Sequence, residues 1–131
     1  MRKLTVGLMV GVAALVAGSS AIAGLRVIES VSVNTATRFA SGSLASARAA
    51  ADSVQFIGCG ATWRTDGTVN GSCFAKTAAG VSGSCTFSDT NLAHALGAVS
   101  GDTRLQFRWD ATNKCTSISL EDASYWAPKQ P

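Results

Sequence analysis

Histidine occurs once in this sequence, tyrosine once and proline twice, and no two cysteines stand in a C-x-x-C pair. Each scarcity closes a route. Any imidazole base or ligand has to be His94. Four cysteines without C-x-x-C spacing and with one histidine do not make the usual zinc set, so no metal is expected. Serine is abundant, yet no G-x-S-x-G elbow presents one as a nucleophile. The glycines of Gly58-Cys59-Gly60 lack the lysine and helix that a phosphate loop uses. Charged residues make up 15% of the chain and form no basic block, which argues against a nucleic-acid partner.

What is present begins with a leader. Arg2 and Lys3 precede an uncharged apolar run, Leu4 to Ala17, and Ala21-Ile22-Ala23 supplies an A-x-A cleavage site. The longer uncharged run, Leu4 to Leu25, is diluted by glycine and serine after Ala17, whereas a membrane span needs ~20 predominantly apolar residues. A lipid anchor would need a cysteine where Gly18-Ser19-Ser20 stand. The reading is therefore a secretory signal peptide over residues 1–23, an extracellular or periplasmic destination, and no stable membrane insertion after cleavage. Removing 23 of 131 residues leaves 108, enough for a single domain over 24–131. Two of the eleven basic residues leave with the leader, so the mature chain balances nine against eight acids. The mean hydropathy of +0.22 is inflated by the leader and is no membrane signal.

All four cysteines lie beyond the leader, and an even count in a small exported domain reads as two disulfides. Such a domain gains little margin from its core alone. Three of the cysteines fall between Val54 and Phe87, where three strand-like runs are separated by two glycine-bearing turns. Asp66-Gly67 suggests a two-residue hairpin loop. Thr65 then faces Thr68, Cys59 faces Phe74, and Cys73 points to the opposite side of the sheet from Cys59. Ala78-Ala79-Gly80 suits a three-residue loop that places Cys73 opposite Cys85. The expected pairs are Cys73–Cys85 and, by exclusion, Cys59–Cys115.

Elsewhere Val27, Val31 and Val33 share one parity, as in a half-buried strand. Ser41-Gly42-Ser43 is placed to cap a short alanine-rich helix, Leu44 to Asp52. Ser88 or Asp89 caps a second helix running to about Ala98, with Leu92, Ala95, Leu96 and Val99 on one stripe. His94 lies ~200° from Leu96 around that helix and so on its solvated face. Leu105, Phe107 and Trp109 alternate with Arg104, Gln106 and Arg108 in the clearest strand, and Cys115 to Glu121 follows as its hairpin partner. The tail from Ser124 to Pro131 carries Pro128 and Pro131 and is expected to run extended.

The fold class these elements imply is α+β: an antiparallel sheet, built from the central meander and the C-terminal hairpin, with two short helices on one face and two disulfides. An all-β sandwich is the alternative if the helices fail to form. Phe56, Phe74, Phe87, Phe107 and Trp109 can be housed in the core. Trp63, Tyr125 and Trp126 are less easily placed, and they are the candidate binding residues, for a protein or glycan surface. Folding back of the tail is the competing role for Tyr125 and Trp126. The sequon Asn70-Gly71-Ser72 matters only in a host that glycosylates.

Most carboxylates stand in turns or at helix ends, so nothing selects a catalytic pair. Neither an enzymatic activity nor a cofactor is expected, and the functional expectation is a secreted binding protein. The alternatives are a small hydrolase or nuclease-type toxin using His94 with Arg104 or Arg108, and an extracellular assembly protein using the strand edge near Val31.

Overall fold

The computed structural model describes residues 25–126; the leader with its expected cleavage site, and the last tail residues 127–131, lie outside the described residues. The chain is small and sheet-rich. Its strands are β1 (Ser32–Asn34), β2 (Phe39–Ser43), β3 (Phe56–Trp63), β4 (Val69–Lys76), β5 (Ser82–Phe87), β6 (Arg104–Trp109) and β7 (Cys115–Glu121). Two short helices, α1 (Leu44–Arg48) and α2 (Thr90–Ala95), interrupt them, and a 3₁₀ turn, Leu96–Ala98, extends α2.

The meander and the C-terminal hairpin both form, in separate antiparallel sheets. The meander is a three-stranded sheet ordered β3-β4-β5. The hairpin β6-β7 joins a four-stranded sheet ordered β1-β2-β6-β7. Inward residues of the two meet in one core that includes Val31, Ala40, Ile57, Val69, Phe87, Leu105, Phe107 and Trp109. Each helix touches one strand of each sheet, α1 against β2 and β3, α2 against β4 and β7. Ser43 caps α1 and Asp89 caps α2, the latter accepting from the Asn91 and Leu92 N–H groups.

The first hairpin corrects the expected disulfides. The Gly67 N–H bonds the Arg64 carbonyl at 3.0 Å, and Arg64 N–H bonds the Thr68 carbonyl at 2.9 Å. The loop is thus Thr65-Asp66-Gly67, three residues with Gly67 left-handed at φ 82°. That one extra residue slides β4 by one position and flips its side chains relative to the two-residue register. Cys59 therefore lies directly opposite Cys73, not Phe74, and the two are bonded. The second hairpin keeps the expected register, with Cys73 opposite Cys85. Since Cys73 is already taken, Cys85 bonds Cys115 and ties the two sheets together. The expected Cys73–Cys85 and Cys59–Cys115 pairs are replaced by Cys59–Cys73 and Cys85–Cys115.

The same parity turns Phe74 outward. It packs edge-to-face on Phe56 at a centroid distance of 5.9 Å, and both rings stay exposed rather than in the core. β2 forms without a strand signal of its own. Its residues, Phe39-Ala40-Ser41-Gly42-Ser43, have weak strand propensity, yet Ala40 to Ser43 are all buried. They are small because neighbours press on them: a Cβ at Gly42 would stand 3.1 Å from Val31 Cγ2 and 3.4 Å from Ile57. No helix among the described residues is long and apolar enough to cross a membrane.

Candidate interaction surface

Two turns bring the polar groups of one cleft together. In the turn from β1 to β2, Asn34 Oδ1 accepts the Thr37 N–H at 2.9 Å, and Arg38 closes the turn in the left-handed region at φ 50°. The Arg38 carbonyl then accepts the Trp109 N–H at 3.1 Å. In the turn from β6 to β7, Asp110 Oδ1 accepts from the Thr112 N–H and hydroxyl, both at 2.7 Å, and from the Lys114 N–H at 3.0 Å. Asn113 there is also left-handed, at φ 59°, and its carbonyl accepts the Thr86 N–H of β5 at 3.0 Å. Between these turns and β5 lies a cleft of about 360 Å³, lined by Thr35, Arg38, Ser82, Ser84, Trp109 and Asn113. Gly83 lets β5 settle onto its floor, since a Cβ there would lie 2.7 Å from the Trp109 ring.

The edges of the sheets differ in how they are protected. At the β1 edge near Val31, expected to be open for assembly, Gln55 Oε1 accepts the Val31 N–H at 2.9 Å, while Ser32 and Asn34 stay exposed. The β7 edge ends on the charge of Glu121 and is irregular where Arg108 and Trp109 pair with it. Ser82-Gly83-Ser84 of β5, like β3 at the other edge of the same sheet, carry no charge, bulge or proline, and of the two only β5 borders the cleft.

Two of the three aromatic candidates, Tyr125 and Trp126, meet, and Trp63 stands apart from them. Trp126 is 7% exposed, packed against the tilted Tyr125 ring at 5.0 Å and covered by the Arg104 guanidinium at 5.5 Å. The described part of the tail, up to Trp126, is folded back: Val27 N–H bonds the Tyr125 carbonyl at 2.6 Å, and Val27 bridges Trp126. Tyr125 is half-buried, and its hydroxyl donates to Glu121, which holds the phenol above its ordinary pKa. Trp63, 54% exposed at the end of β3, stacks on neither. Asn70 of the sequon is exposed on β4.

The charged groups mostly serve the scaffold. Arg104 Nε bonds Glu29 at 2.5 Å while its Nη1 lies 3.6 Å from Glu121, and the Glu29 hydrogen bond raises the guanidinium pKa further. Arg108 lies over the Phe39 ring at 4.6 Å. Neither is hydrogen-bonded or ion-paired to His94, which is exposed on α2 without a side-chain partner among the described residues. The Sγ atoms of Cys73, Cys85 and Cys115 lie within 4.8 Å of one another, but both disulfides consume the thiolates a metal would need.

Sequence reasoning marked none of the cleft residues as a site. Asp110 to Lys114 reads as a turn, but nothing local says that it reaches β5; Arg38 lies in a stretch with no periodic signal at all. No protein-family model, curated protein or solved structure matches this chain.

Proposed function

We propose that this chain is exported through its N-terminal leader and acts outside the reducing interior as a non-enzymatic domain that binds another macromolecule, protein or glycan. One observation carries the reading: seven of the eight carboxylates are already bonded within the scaffold. Glu29, Asp52, Asp66, Asp89, Asp110, Glu121 and Asp122 each accept from a turn, a helix end or a neighbouring side chain. A general base or paired-acid mechanism needs such groups free and convergent. His94 is exposed, and among the described residues no carboxylate is bonded to it to orient it. The disulfides fit an oxidising compartment.

The test uses the secreted protein itself. Its N-terminus is expected at Gly24. Peptide and glycan arrays are expected to return saturable binding, while esterase, glycosidase and phosphodiesterase substrates are left unchanged. Turnover that disappears in His94→Ala would overturn the reading.

A further inference from the structure

We propose that the edge of β5 left unpaired among the described residues, Ser82 to Ser84, is a docking site for an extended acidic segment of a partner protein, added as a strand with a carboxylate held by Arg38. This rests on the interaction reading above and names its partner class.

The backbone carries the first half of the case. In an antiparallel pair, successive residues alternate between exchanging both hydrogen bonds with the partner strand and pointing them away. Thr86 points away from β4, because its N–H bonds the Asn113 carbonyl at 3.0 Å. Ser84 and Ser82, two and four residues back, share that phase and face the cleft with N–H and C=O groups. The Thr86–Lys114 bridge is a single rung of parallel pairing on this edge. A partner strand would continue beside β5 where Lys114 stops. Main-chain bonds of this kind supply affinity, and the flanking side chains supply selection.

Charge decides the occupant. Arg38 and Lys114 stand at the two turns that bound the cleft, and neither has an ion pair among the described residues. Asp110, close enough to feel Arg38, is engaged by Thr112 and Lys114. The chain's own remaining segments do not match. Residues 127–131 carry Lys129 and two prolines, which lack N–H donors, and the charges of the leader are Arg2 and Lys3. An acidic extended peptide has the complementary sign and a full set of donors.

The experiment uses the mature protein and a fluorescein-labelled peptide of alternating glutamate and valine, read by anisotropy. Saturable binding is expected, weakened about tenfold or more by Arg38→Glu and lost when alternate peptide amides are N-methylated. Ser84→Pro, which removes one outward N–H from an edge that tolerates proline, is expected to weaken binding at unchanged melting temperature. The N-methylated peptide leaves the protein untouched, so a folding defect cannot mimic its effect. No binding, equal binding of the N-methylated or an arginine–valine peptide, or equal displacement by a polyuronate would overturn the proposal. So would self-association that Arg38→Glu abolishes, since the edge would then belong to a second copy. If array ligands stay bound to Arg38→Glu and Ser84→Pro, this edge is the wrong site while the interaction reading survives.

Discussion

Cys73 faces Cys85 directly across β4 and β5, yet the two are not bonded to each other. Cys59 faces Cys73 from the other neighbouring strand, so three cysteines form a row on the inner side of the sheet, and Cys115 arrives from the second sheet. Pairing along the row leaves Cys85 for the bond that crosses between sheets. The topology thus contains one staple within a sheet and one between sheets.

The two staples differ in what they restrain. The Cys59–Cys73 bond closes a separation of 14 residues and Cys85–Cys115 one of 30. On the chain-entropy scale these are worth about 3 and about 3.7 kcal/mol. Urea unfolding of C59A/C73A and C85A/C115A is expected to show the larger loss in the second variant. A larger loss in C59A/C73A would mean that the inter-sheet bond is not the main restraint.

Gly71 sits on the inner face of β4, where a Cβ would fall within the Phe87 ring. Gly71→Ala is expected to cost about 1–3 kcal/mol through forced repacking. Gly60 of β3 pairs with Ser72 of β4 and has no atom within 4 Å of its would-be Cβ. Gly60→Ala is expected to stay within about 0.5 kcal/mol. Denaturation midpoints check both; equal effects would show that Phe87 is free to move aside.

Trp126→Ala removes a ring packed against Tyr125 and under Arg104, and is expected to cost about 3–5 kcal/mol. Trp63→Ala, at an exposed position, is expected to change stability by less than about 1 kcal/mol. Thermal unfolding of the pair tests the assignment of the tail to the scaffold. A Trp126→Ala variant with an unchanged melting temperature would contradict it.

Acid is expected to weaken the fold through its turns. Asp52, Asp66 and Asp110 are each held below the ordinary carboxylate range. The leading causes are hydrogen bonds from the Gln55 N–H, the Thr68 hydroxyl and the Lys114 N–H respectively. A carboxylate whose pKa falls on folding stabilises the native state fully above its unfolded value, near ~4. That contribution is lost as pH drops through the lower, folded value. The D52N/D66N/D110N variant keeps an acceptor in each turn but no titration, so its stability is expected to fall less steeply below about pH 4. Parallel acid-unfolding curves for the variant and the parent would exclude this origin.

The features legible from the amino acids were those decided within a few residues. Asp89 caps α2 as its position before an apolar stripe implies. Gly80 closes the second hairpin, and Leu105, Phe107 and Trp109 alternate inward on β6. Two disulfides, short helices and antiparallel strands followed from the same local signals. What needed the tertiary structure depended on partners distant in the chain. Asp66-Gly67 announced a turn, but whether its loop held two residues or three was settled by how β3 and β4 pack, and that single residue reassigned both disulfides. β2 is a strand because β1 and β6 flank it, against its own composition. Trp126 is buried because Arg104 and Val27 receive it. The cleft beside β5 exists because the turns carrying Arg38 and Asn113 meet a strand far from both in sequence. Turn chemistry and periodicity act through the backbone nearby, whereas register, burial and convergence are set by which surfaces come to face each other.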